Sequence, residues 1–526
     1  MKIELNERAR AAALPLYLLF AVCAYGASVR GVVGVSPSSG AAGVNVDTRL
    51  TVYFSETPAV GCTGKIRVYD AETREIVDSL DLSIPAGPTD KRTYGPECDY
   101  TKIPYDYSRT SVPTNKDTKP GTPSGTAEPT SSDYQLNIIG GFTDAFHFYP
   151  VIVRGNAAVI YLHNNMLEYS HQYYVTVDSS VFSLPDGAFG GIDEDDGWTF
   201  TTRERMPAGK DTITVDANGK GDFNTIQGAL DYIPDFCGHE TVVMVSAGDY
   251  EEIVYARNKW NVKIKGKGMD NTKAHYANNE VFNPHPLTVK TNERPGTFPS
   301  RRAAFMLDNC RDITVEDMTI ATDLQGQAEG LLVNGERITL YRVHIVGSGD
   351  AFQANGTIYM EECELDGSGD TILGRGSLFA YKSNFRNSGG PFTWVRNTAG
   401  NHGDVFVECT FSTTDGNKAD FGRTVSNHGQ TYPYAECVVI DCRVKNIIPE
   451  GWSRIEEPAT VKMYEYGTRD MTTGELVDVS RRHRFSRQLD GVVDAETIKD
   501  YRDPAFVLKG WMPDRYAQSC ASSHGR

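Results

Sequence analysis

DITVEDMTI at 312–320, RITLYRVHI at 337–345, TIYMEECEL at 357–365 and SLFAYKSNF at 377–385 share one pattern, which DVFVECTF at 404–411 and ECVVIDCRV at 436–444 continue. Each is a short strand of alternating apolar residues that runs into Gly, Asn, Asp or Ser turn residues. Ile313 and Ile338 head two of them, and Tyr359 and Phe379 fall in the next two. The helices that a βαβ barrel needs between its strands are missing. Asn-Gly hairpin signals, which a sandwich of paired antiparallel strands would show, are few. Short strands that return to the same place once per repeat predict an all-β, right-handed parallel β-helix, with a sandwich as the structural alternative.

Upstream, DTITVDANGKGDFNTIQGALDYIP at 211–234 predicts a strand at Thr212–Val215, a Gly-rich turn and an amphipathic helix. Phe223, Ile226, Ala229, Leu230 and Ile233 form its apolar stripe, as expected of a cap over the open first rung of a solenoid. Residues 30–203 read as a separate all-β module, with alternation at Leu50–Phe54, Lys65–Tyr69, Ala158–Leu162 and Gln172–Val177. Its opening SPSSGAAGVNVDTRLTVYFSE and closing GWTFTTR resemble the ends of bacterial Ig-like modules, and the Pro/Thr/Ser/Gly-rich stretch 111–133 reads as a loop within it. A polar link at 204–210, a solenoid over 211–513 and a tail at 514–526 complete the organisation. Residues 1–27 read as an export leader: Lys2, Arg8 and Arg10 precede an apolar run from Ala11 to Ala24, with small residues at Ala24, Gly26 and Ala27. That run is shorter than a membrane span requires. A secreted or periplasmic protein is expected.

With 52 basic and 69 acidic residues the chain carries a net charge of −17 and shows no Lys/Arg cluster, so no nucleic-acid partner is expected. A polyacid substrate would have to be partly neutralised, for instance by esterification. Among 10 cysteines, Cys62 and Cys98 could bridge in an oxidising compartment. Cys310, Cys363, Cys409, Cys437 and Cys442 sit in strand contexts and are expected to be small buried apolar residues. No pair has zinc-ribbon spacing, and no metal or cofactor is expected.

Two positions are the most informative for chemistry. Asp350 in HIVGSGDAF and Asp370 in ELDGSGDTILG lie about one solenoid turn apart. Residues in register on adjacent rungs are separated by ~4.8 Å. Two carboxyls so placed do not both ionise freely, which leaves an acid beside a carboxylate. Both could instead cap turns, as Asp commonly does. Arg423 in ADFGRTVSNHG could hold one carboxylate ionised through a bidentate pair, or be a surface residue. Gln327 in LQGQAEGLLV could donate to an oxyanion, or satisfy turn backbone.

In order along the chain, these motifs resemble the pectin methylesterase family over about residues 211 to 513. The carriers are ITVDANGKGDFNTIQGALDYIP, QAEGLLVNGERITLYRVHIVGSGDAF, CELDGSGDTILG, FGRTV, IPEGW with YEYGT, and LKGWMP. The resemblance implies hydrolysis of methyl esters on polygalacturonate (pectin). Asp370 would attack the ester carbonyl, and Asp350 would protonate methanol and then activate water. Arg423 would hold Asp370, Gln327 would bind the oxyanion, and Trp452 and Phe352 would line the sugar cleft. The chain departs from the family at Gly349, where a second donor Gln is usual, and at Val425, where Trp is usual. Gln353 or His428 could replace the donor, and Gly349→Gln would then be expected to raise the rate if the donor is limiting. A polygalacturonase would show NTD, DD and RIK motifs in the solenoid, and a lyase clustered Ca²⁺-binding carboxylates; neither pattern is found. A non-catalytic polysaccharide-binding solenoid is the reading from a different class. Serine-esterase and HExxH zinc motifs are absent.

Overall fold

The computed structural model describes residues 31–87, 134–140, 145–187, 189–283, 301–414, 416–427, 429–456 and 460–523, together with Val29. The expected export leader, Cys98, His428 and the 111–133 loop lie outside the described residues.

From Thr212–Val215 to Ser486–Gln488 the chain builds one continuous 23-stranded sheet. Every pairing in it is parallel, which removes the sandwich alternative for this region. The aligned side chains follow the pattern of the sequence. Ile313 pairs Ile338, Ile338 pairs Ile358, and Ile358 pairs Leu378, giving an interior stack of apolar residues. The helix Ile226–Tyr232 covers the first rung with Ile226, Ala229 and Leu230 buried.

One corner of the solenoid is turned by side-chain-bearing residues in the left-handed region. Arg342, Glu362, Lys382, Glu408 and Asp441 all have φ between 48° and 54°. Each is followed by an interior residue, in turn Val343, Cys363, Ser383, Cys409 and Cys442, all fully buried. The corner needs a compact group just inside it, which is why cysteines recur there as buried apolar residues. The Cys310 and Cys437 side chains are buried as well.

Residues 31–202 contain a four-stranded and a five-stranded sheet sharing one core of Leu50, Val52, Phe54, Val68, Val175, Trp198 and Phe200. This sandwich is docked on the solenoid. The Asp47 carboxylate accepts from the Asn224 and Thr225 amides at 2.9 and 2.8 Å, at the start of the capping helix. Phe146 and Tyr149 pack with Tyr255, Tyr276 and Phe282.

That docking decides which face of the solenoid stays open. One outward-facing row runs, rung by rung, through Tyr255, Met306, Leu332, Gln353, Leu373, Trp394 and Arg423. Its first members belong to the apolar cluster shared with the sandwich. From Gln353 onward the row carries Gln353, Trp394 and Arg423 with Leu373 among them, and the candidate site begins there. Among the described residues no helix is long and apolar enough to cross a membrane.

Candidate active site

Asp350 and Asp370 each stand two residues before a short strand, Phe352–Ala354 and Ile372–Gly374, and Phe352 pairs Ile372 in register. The two carboxyl-bearing turns therefore occupy the same place on consecutive rungs. In both turns the residue before the Asp is a glycine in the left-handed region, Gly349 at φ 73° and Gly369 at φ 59°. That conformation tips the aspartate outward at a strand entrance, and glycine adopts it without steric cost. The turns are fastened to one another. The Gly349 amide donates to Ser368 Oγ at 2.8 Å, and the Gly369 amide donates to the Gly389 carbonyl at 2.9 Å. Buried Asn387 donates to the Gly369 carbonyl at 3.1 Å and to Thr371 Oγ1 at 2.8 Å.

Arg423 ends the strand Ala419–Arg423, two rungs beyond Asp370. Its Nε donates to Asp370 Oδ1 at 2.6 Å and its Nη2 donates to Oδ2, a bidentate fork. The three side chains expected to act together thus converge. Asp350 is almost buried. Burial pushes its carboxyl upward, Arg302 opposes this, and the neighbouring Asp370 adds to it. The raised carboxyl of Asp350 thus stands beside a carboxyl gripped by the Arg423 fork. Gln327 stands next to Asp350 through a shared partner: its Oε1 accepts from Arg302 Nη1 at 3.1 Å, and Arg302 Nη2 donates to Asp350 Oδ2 at 2.9 Å.

Two expected substrate contacts are corrected. Phe352 and Trp452 are each 0% exposed and belong to the solenoid interior. Side chains alternate along a strand, so with Gln353 facing outward Phe352 must face in, between Leu331 and Ile372. The Trp452 ring lies against Phe421 at 5.2 Å, inside the same core. Neither ring can stack on a sugar.

Three residues at the site escaped sequence reading. Trp394 is half-buried in the outward row between Leu373 and Arg423. Its Nε1 donates to the Val425 carbonyl at 3.1 Å, and the Arg423 guanidinium sits 4.3 Å from its ring centroid. An indole on a neighbouring rung thus stands against the arginine where Val425 has no aromatic ring, and FTWVRN one strand earlier is the signal that could have found it. Arg302 and Glu329 are the other two, both buried within the site. The doublet Arg301–Arg302 ahead of an apolar strand was their only sequence trace. A carboxylate at position 329, inside an apolar run, reads as a surface residue until the rungs are stacked.

Gly349 is also corrected. A Cβ at this residue would meet the Gly326 carbonyl oxygen at 2.3 Å, in a backbone conformation that L side chains rarely adopt. Gly349→Gln is therefore expected to lower stability by at least about 1–2 kcal/mol and to reduce activity rather than raise it. Thermal melting and initial rates on the same preparation check this. Gln353 lies on the following strand, almost fully buried, and its Oε1 has no hydrogen-bond partner.

The sequence pattern of the family described as Pectinesterase matches residues 212–509. The chain is similar to Pectinesterase QRT1 of Arabidopsis thaliana, with 26% identity over 272 residues, 48% of this chain and 67% of that protein. It is similar to Probable pectinesterase A of Neosartorya fischeri, with 24% identity over 306 residues, 57% of this chain and 88% of that protein. Among solved structures, pectin methylesterase from carrot matches with 18% identity and a TM-score of 0.47, over 58% of this chain and 95% of that one.

Proposed function

The chain belongs to the pectinesterase family, carboxylic-ester hydrolases that remove methyl esters from pectin, and on that premise we propose that Asp370 is the nucleophile, Asp350 the general acid and base, and Arg423 the clamp on the nucleophile. The observation that carries this reading is the fork from Arg423 to Asp370 beside the buried Asp350. A guanidinium held in two hydrogen bonds keeps a carboxylate ionised and oriented. A buried carboxyl beside it retains a proton to give away.

An Asp370 carboxylate oxygen bonds to the ester carbonyl carbon, and the carbonyl electron pair moves onto oxygen. Gln327 donates its amide N–H to that oxyanion, and Gln353, with its amide in the outward row, is the second donor in place of Gly349. As the oxyanion collapses, the bond to methoxide breaks and the Asp350 proton passes to the leaving oxygen, releasing methanol. Asp350, now a carboxylate, takes a proton from water as that water attacks the acyl carbon. The tetrahedral adduct collapses as the bond between the acyl carbon and the Asp370 oxygen breaks, which regenerates the Asp370 carboxylate; the product acid gives its remaining proton to solvent and leaves as a carboxylate.

In the same reading, residues 30–203 are an Ig-like module, 204–210 its link, 211–513 the esterase domain and 514–526 a tail. The protein acts outside the cytoplasm, secreted or periplasmic, a placement supported by the charged and apolar pattern of residues 1–27 and by a polymer substrate of cell walls.

Methanol release measured against a panel of methyl-esterified and acetylated polysaccharides tests the reading. Release from methyl-esterified homogalacturonan, without shortening of the polymer, is expected. Acetate release alone, or unsaturated products, would overturn it. The free-enzyme rate is expected to decline at the alkaline side as Asp350 loses its proton, because the acid form is the one that protonates methoxide.

A further inference from the structure

Arg302 is 7% exposed and Glu329 is 0% exposed, and neither has been given a part in the chemistry. The Arg302 guanidinium is the hub of a closed network. Its Nε donates to Glu329 Oε1 at 2.6 Å, its Nη2 to Asp350 Oδ2 at 2.9 Å, and its Nη1 to Gln327 Oε1 at 3.1 Å and to Glu280 Oε2 at 3.3 Å. The second oxygen of Glu329 is buried without a hydrogen-bond partner. The groups that face Asp350 are therefore Arg302, Glu329, Glu280, Asp370 on the next rung, and Arg396 beyond the strand Gly390–Val395.

We propose that Arg302 and Glu329 are positioning residues of this esterase: Arg302 orients Asp350 and Gln327 together, and Glu329 shares the guanidinium so that Asp350 is not locked as a carboxylate. The inference rests on Asp350 being the general acid.

The physical case has two parts. A buried guanidinium bonded to Asp350 alone would hold it ionised, the wrong state for protonating a leaving methoxide. A second carboxyl on the same cation changes this. Two acids bridged by one arginine titrate as a unit, and neither is held ionised by the whole of its charge. Burial pushes Asp350 and Glu329 both upward against the pull of Arg302, and like charge between the two carboxyls adds to the push. The second part is geometric. An amide whose oxygen is taken by Arg302 has its NH₂ turned to the opposite side, so Gln327 is presented as a donor and not as an acceptor.

The test is the pH profile of kcat/KM for methanol release from methyl-esterified homogalacturonan. The basic limb reports loss of the Asp350 proton. Glu329→Gln removes a negative charge and leaves Arg302 to Asp350, so that limb is expected to move about one pH unit toward acid. Arg302→Met removes the cation, and the limb is expected to move about one unit toward alkali, with a lower kcat from the released Gln327. Arg302→Lys keeps the charge without the fork and is expected to hold the parent limb at reduced kcat. Shifts of the same sign in Glu329→Gln and Arg302→Met, or limbs of those two variants that coincide with the parent's, would overturn the proposal. Should Arg302→Met not fold, the nearly isosteric Glu329→Gln decides alone. Asp350→Asn separates the two levels of inference. Parent-like turnover in that variant would remove Asp350 as the acid. An inactive Asp350→Asn together with unmoved limbs would remove only the roles of Arg302 and Glu329.

Discussion

Asp370→Asn is expected to lower kcat for methanol release by at least about 10⁴-fold while the protein still folds. The amide has the shape of the carboxylate and fits the same turn between Gly369 and Thr371. It lacks the negative oxygen that must bond to the ester carbon. The variant also loses part of the Arg423 fork, since an amide offers one acceptor where the carboxylate offers two. That costs about 1–3 kcal/mol, well short of unfolding a solenoid of this length. Methanol assays paired with circular dichroism and melting curves check both halves. Turnover within tenfold of the parent would take the nucleophile's role away from Asp370. Binding of methyl-esterified homogalacturonan is expected to persist, because the residues lining the outward row are untouched.

Trp452→Ala is expected to destabilise the protein by about 3–5 kcal/mol, the usual cost of emptying a large aromatic site in a packed core. The ring is wholly enclosed, lies against Phe421, and belongs to the same interior stack as Ala419 and Cys437. A residue lining a sugar cleft would behave differently. Its removal would raise KM and leave the unfolding midpoint nearly unchanged. Denaturant unfolding followed alongside KM of the folded fraction discriminates the two, and a raised KM with unaltered stability would restore Trp452 to the cleft.

The contrast between these two residues shows where sequence reading succeeds. Asp370 was found because it repeats the Gly-Ser-Gly-Asp of Asp350 at the spacing of one rung. Trp452 was misplaced because a Gly-Trp pair in a turn carries no information about which side of the wall the ring occupies. Phe352 and Gln353 make the same point at closer range. They are adjacent in sequence, yet one faces the core and the other the site, and the strand register decides which. At the corners, Glu362 and Lys382 adopt left-handed backbone without the Gly or Asn that would announce it. Gly349 was legible as a departure from the family pattern. Only its φ and the Gly326 carbonyl beside it show that a longer residue does not fit there.

What the sequence determined by itself is the set of local features: the period-two strands, the repeat that stacks them, the capping helix, and the pair of aspartates with their arginine. These are properties of neighbouring residues and of a regular interval, and both can be read along one dimension. The tertiary structure alone decided that the sandwich covers the early rungs and leaves the later ones open. It also gathered Arg302, Glu329 and Trp394 at the site. Those residues reach Arg302, Asp350 or Arg423 across 27 to 48 positions of chain. Stacking of parallel rungs converts such separations into a few ångströms, and a charged side chain reveals its buried partner only once that stacking exists.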